Sequence, residues 1–128
     1  MDIRIWLVWL SVGVNEFWGA LDALLYALLL FMLADWITGV LCGISSGNLS
    51  SDIGFKGICR KMYMLILIGM AHILDAHILG TGDMLRTAAI FFYLSNEGLS
   101  IMENAARIGV PIPQKLRYAM RQFKDKQP

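Results

Sequence analysis

Between residues 20 and 41 the chain carries only three clearly polar side chains, Asp22, Asp35 and Thr38. As an α-helix this run rises about 33 Å, enough to cross the ~30 Å hydrocarbon core of a bilayer. The wider apolar stretch covers residues 17–44 and ends at Ser45-Ser46-Gly47-Asn48. With 128 residues, 57% of them hydrophobic and 16% charged, a water-soluble fold would leave large apolar patches uncovered. Lipid is therefore the expected solvent, in a single all-α domain. The length excludes a large two-domain enzyme.

Two further spans are expected. Residues 62–79 are apolar except for His72, Asp75 and His77, and Gly80-Thr81-Gly82-Asp83 makes the next turn. Asp83 is placed to cap a third helix over residues 84–99. That third run contains Arg86, Asn96 and Glu97 and would reach only about 24 Å, so it needs a thinned bilayer or neighbouring protein. Ser100-Ile101-Met102-Glu103 fits a capping box, which predicts a fresh helix from Ser100 to Gly109, stopped by Pro111 and Pro113.

Both ends of the chain are candidates for the membrane surface. Residues 3–14 are apolar but too short to cross alone; they form an interfacial segment or part of a fourth span, with Trp6, Trp9 and Trp18 as interfacial anchors. No cleavable leader is expected there, because one basic residue precedes the apolar stretch and no small-residue cleavage site follows. Near the other end, Leu116, Ala119, Met120 and Phe123 fall at i, i+3, i+4 and i+7, while Arg117, Arg121 and Lys124 form a basic face. This predicts a helix on an anionic leaflet, or one packed on its own protein. The expected organisation is an N-terminal segment 1–16, a transmembrane region 17–99 with a cytoplasmic loop 45–60, and a cytoplasmic-side tail 100–128.

Charge sets the expected orientation. Lys56, Arg60 and Lys61 follow the first span, and from Ser95 onward six basic residues face three acidic ones, whereas the turn after the second span holds Asp83 and no cation. Both basic segments belong on the cytoplasmic side. Three spans put the N-terminus outside; a fourth would bring both ends inside.

Polar and small residues inside the spans are the candidate functional positions. Gly39, Gly43 and Gly47 follow Asp35 at four-residue intervals, a spacing that lets another helix approach closely and predicts self-association. Asp35 is costly in hydrocarbon unless protonated, hydrated or paired. His72 and Asp75 share a face of the second span, while His77 lies off it. Arg86, Tyr93, Glu97 and Ser100 form one side of the third helix, which could line water; alternatively Arg86 snorkels to the headgroups. These groups would first be buried at protein contacts, then meet water in an opened assembly.

Other chemistry finds little support. Cys42 and Cys59 lack CxxC or finger-like spacing and are expected as buried thiols, so neither a disulfide nor a metal site is anticipated. The chain has no glycine-rich nucleotide loop, HExxH or GxSxG pattern. No enzyme, cofactor or nucleic-acid partner is expected; the basic tail suits anionic lipid.

Four blocks together resemble the phage holin family that includes clostridial toxin-secretion holins: DWITGVLCGI at 35–44, LSSDIGFKGICRKM at 49–62, AHILDAHI at 71–78 and NEGLSIMENAARIGVPIPQKL at 96–116. The resemblance implies a multi-pass protein of the host inner membrane that assembles with itself. It would open lesions releasing a cell-wall hydrolase during host lysis, without necessary direct contact with that enzyme. An antiholin or regulatory membrane partner fits the same spans. A small proton-coupled transporter using His72 and Asp75 is a third reading.

Overall fold

The computed structural model of the chain describes residues 2–125, with side chains through residue 122. Five helices follow one another: α1 Ile3–Trp18, α2 Ala23–Ser46, α3 Ser51–Ile73 with a π-helical extension Leu74–Leu79, α4 Met84–Ile108 and α5 Gln114–Asp125. Local chemistry sets their ends. The Asp22 carboxylate accepts the Leu25 amide at 2.9 Å and opens α2, while Gly47 and Gly109 close α2 and α4 in the left-handed conformation.

Short connections fold α2, α3 and α4 up, down and up, so α2 and α4 run parallel and make the most extensive helix contact. Their core is thin. Leu25, Leu28 and Met32 of α2 meet Ile68 of α3 and Ile90 of α4, with Trp18 and Tyr93 packed at its margin. Much of the helix surface beyond that seam is apolar and uncovered, including Leu30, Leu33, Ile37 and Leu41 on α2 and Met62, Ile66 and Met70 on α3. The accessible surface is 8937 Å² for a 14.3 kDa chain, against about 6800 Å² for a compact soluble protein of that mass. The excess is the face that lipid or other helices must cover. Among the described residues, Ala23–Ser46 and Ser51–Leu79 are long and apolar enough to cross a membrane.

Three expectations change. Residues 51–60, read as loop, are the first turns of α3, and the connection shrinks to Gly47–Ser50, because Gly54 and Gly57 face Trp36 across a helix contact rather than loosening the chain. The Trp36 indole reaches the Gly54 carbonyl at 3.4 Å. The expected break at Ser100 is also absent. The capping box would require Ser100 to leave helical geometry, but Glu97, Gly98, Met102 and Asn104 are buried on both sides of it, and this packing holds α4 continuous to Ile108. At 25 residues α4 is about 37 Å long, but the added turns carry Glu103, Asn104 and Arg107, and α4 is not among the described helices apolar enough to cross a membrane. Finally, Cys42 is buried but Cys59 is exposed on α3.

The flanking helices dock on this hairpin pair. α1 packs on α3, where Gly69 makes room for the Phe17 ring, and the Trp18 indole donates to the Leu65 carbonyl at 2.7 Å. Trp6 and Trp9 stay exposed, whereas Trp18 is half-buried at the margin of the core. α5 folds back on α4, with Met120 seated over Gly98. Part of its apolar stripe therefore packs on its own protein, the second of the two expected roles. Phe123 and Lys124 lie outside the described side chains.

Candidate functional site

Two polar clusters sit at different heights along α4. Arg86 and Glu97 are eleven residues apart, about 17 Å along the helix, so the side expected to line one opening is divided between two sites. Tyr93 joins neither; it packs at the edge of the core with its ring edge-on to Phe92 at 5.3 Å.

The first cluster ties the start of α4 to the link between α1 and α2. Arg86 is 2% exposed and does not snorkel. Its guanidinium donates to the Trp18 carbonyl at 2.7 Å, the Ala20 carbonyl at 2.8 Å and the Asp22 carboxylate at 2.7 Å. This hydrogen bond holds the Asp22 carboxyl below its ordinary pKa. Gly19 permits the arrangement, since at φ 77° a Cβ would also press on His72 Nδ1 at 3.0 Å and Arg86 Nε at 3.1 Å.

Asp75 completes this cluster from the π-helical extension. Its carboxylate accepts the Thr81 hydroxyl and the backbone amides of Leu85 at 3.1 Å and Arg86 at 2.8 Å. Those amides are orphan donors at the head of α4. Asp83 occupies the expected N-cap position but makes no side-chain cap bond, so Asp75 supplies the anion instead. His72 is close by, with its buried Nδ1 lacking a partner, and His77 is exposed on the extension. Among the described residues no group of three or more His, Cys, Asp or Glu gathers in metal-binding range.

The second cluster joins α2, α3 and α4. Lys61 Nζ donates to Asp35 Oδ2 and to Glu97 Oε2, each at 2.7 Å. Asn104 Nδ2 donates to the remaining Asp35 oxygen at 3.2 Å and to Thr38 Oγ1 at 2.9 Å, while the Cys42 thiol donates to the Asn104 carbonyl at 3.1 Å. Asp35 is thus paired within one chain, one of the ways its charge was expected to be tolerated. Lys61, read only as a basic residue after the first span, is the partner that sequence reasoning missed. Its signal was spacing: Lys61 lies at the head of the second apolar run, within reach of a carboxylate low in the first.

The glycine stripe divides. Gly39 is exposed, with Asn104 Nδ2 the nearest atom to a Cβ there, at 3.8 Å. Gly43 lies against Leu49 of the following turn, and Gly47 is the left-handed cap of α2 with open space around it. Of the tail cations, Arg117 is half-buried and Arg121 exposed.

The arrangement gathers ionic groups on the inside of helices whose outer faces are apolar, and among the described residues no nucleophile is paired with a base. Similarity to known proteins agrees with such a membrane device. No solved structure matches the chain. An uncharacterized 14.9 kDa protein of Clostridium perfringens is 44% identical over 119 residues, 91% of this chain and 89% of the relative. An uncharacterized protein of Listeria monocytogenes is 48% identical over 99 residues, 77% of this chain and 70% of the relative. A probable holin of Bacillus phage phi105 is 38% identical over 86 residues, 67% and 63% of the two chains. The bacteriophage holin family model matches residues 12–125, from within α1 through both clusters to the end of α5, and the chain belongs to that family.

Proposed function

We propose that the protein is a holin whose copies associate in the bacterial inner membrane and open lesions that release a folded cell-wall hydrolase. Family membership supports a non-enzymatic, pore-forming role in lysis and self-association in a membrane. The observation that carries the finer reading is Lys61 held between Asp35 and Glu97 on three helices with apolar outer faces.

In this reading α4 is a third crossing, beside α2 and α3, and the basic ends lie in the cytoplasm. While the ionic groups pair within each chain, the helices can accumulate in lipid. Separating such a buried pair without replacement costs about 3–5 kcal/mol, so a lone chain stays closed. An assembly that admits water can hydrate Asp35, Lys61 and Glu97 together, and several chains then open cooperatively. Gly39 serves close approach between chains, and Arg117, Arg121 and Lys124 rest against anionic lipid. The hydrolase passes through the lesion without a docking site.

Full-length protein reconstituted in vesicles holding both a small dye and a folded enzyme tests this. Release of both above a threshold protein density is the expected result. Retention of the enzyme while the dye or ions leak would overturn it. So would silence in vesicles combined with inhibition of another holin, the behaviour of an antiholin.

A further inference from the structure

We infer that a cavity of about 380 Å³ where the end of α2 meets the first turns of α3 and the last turns of α4 binds the phosphate-bearing headgroup of an anionic membrane lipid. Four basic side chains line it, Lys56, Arg60, Lys61 and Arg107, against one carboxylate, Asp35. Asp35 is already engaged by Lys61 and Asn104. Lys56, Arg60 and Arg107 form no ion pair among the described residues. Cations from two helices lining one concave site repel each other until an anion enters, and a phosphate offers several acceptor oxygens to guanidinium and ammonium donors.

The rim selects the source of that phosphate. Trp36, Leu49 and Ile53 flank the cations, and Leu49 and Ile53 are among the exposed apolar side chains. A lipid places its acyl chains against such a rim, whereas free phosphate gains nothing from it. The site is separate from the basic face of α5, and it rests on the reading that α2 and α3 cross the bilayer with this end at the cytoplasmic headgroups.

The test uses delipidated full-length protein in detergent, with bound lipid counted by native mass spectrometry after adding phosphatidylglycerol or phosphatidylcholine. About tenfold preferential retention of phosphatidylglycerol is expected. The double variant Arg60→Gln with Arg107→Gln should abolish the preference while helix content by circular dichroism is unchanged. If that variant loses its helices, Lys56→Gln and a salt titration of the wild-type chain replace it, and both should weaken retention. Equal retention of the two lipids, or a preference untouched by these changes, overturns the site. Displacement by inorganic phosphate at equal concentration reassigns it to a soluble anion and overturns the lipid. Dye release from vesicles is scored separately: a chain that keeps the preference but releases nothing fails as a holin and retains the site.

Discussion

Asp75 caps α4 from a different helix: its carboxylate reaches across the turn to the amides of Leu85, at 3.1 Å, and Arg86, at 2.8 Å. The same backbone then carries the Arg86 side chain into the α1–α2 link, so one buried carboxylate helps to fix two connections, the turn before α4 and, through Arg86, the α1–α2 link. The π-helical extension supports this by placing Asp75 inward, 1% exposed, at the point where an ordinary α-helix would be ending.

Removing that cap should destabilise the protein far more than removing the residue at the formal N-cap. Asp75→Ala is expected to cost about 2 kcal/mol or more, because the buried Arg86 amide and the part-buried Leu85 amide lose their acceptor. Asp83→Ala should stay within about 0.5 kcal/mol, as for an exposed side chain without such bonds. Reversible unfolding in detergent micelles measures both; equal losses would refute the assignment.

Lys61 balances two carboxylates, and its loss should be felt through them. Lys61→Met leaves Asp35 and Glu97 facing each other without a cation, at an expected cost of about 3–5 kcal/mol. Adding Asp35→Asn and Glu97→Gln to Lys61→Met should recover most of that, since no unpaired charge remains. Unfolding of the single and triple variants checks the stability. In vesicles, the triple variant should also need a different protein density to release contents, and an unchanged threshold would separate the cluster from opening.

Much of this fold is legible in the sequence because hydrocarbon imposes simple rules. Most of the run over 20–41 has to be a helix, and Gly80 to Asp83 has to be a turn, whatever the partners; residues 20–22, read as part of that span, instead form the link from α1, because the Asp22 carboxylate caps α2 at Ala23. What stays illegible depends on contacts between helices. Gly54 and Gly57 look like loop residues until Trp36 is known to lie beside them, and Ser100 looks like a helix start until its neighbours are seen to be buried. The same holds at the site. Asp35 announces a need for a partner, but Lys61 and Glu97 are remote in sequence, and only the parallel register of α2 and α4 selects Glu97 over Glu103. Asp75 likewise reads as one half of a His72 pair, whereas its bonds go to Thr81 and the head of α4.

Docking of α1 should depend on the absence of a side chain at residue 69. A Cβ on Gly69 would overlap the Phe17 ring, so Gly69→Ala should loosen α1 and cost about 1–3 kcal/mol. Phe17→Ala alone removes packing, but combined with Gly69→Ala it should cost less than the sum of the two changes. The readout is Trp18 fluorescence, since its indole bond to Leu65 holds it beside α3. Simple additivity would show that α1 does not rely on this contact.

Self-association is best tested at Gly39 rather than along the whole glycine stripe. Leucine at Gly43 would press on Leu49, where a Cβ already lies 3.1 Å from a side-chain carbon, and Gly47 holds a positive φ. Either change would disturb the single chain before it said anything about an assembly. At Gly39 the nearest atom is 3.8 Å from a Cβ and the position is exposed, so the chain can carry a larger residue without refolding. Gly39→Leu is therefore expected to leave thermal unfolding within about 1 kcal/mol of wild type. If neighbouring helices approach along this face, it should shift cross-linked species in membranes toward monomers and delay lysis. Unchanged oligomer distributions would move the interface to another face, of which the exposed apolar side of α3 through Met62, Ile66 and Met70 is the next to mutate.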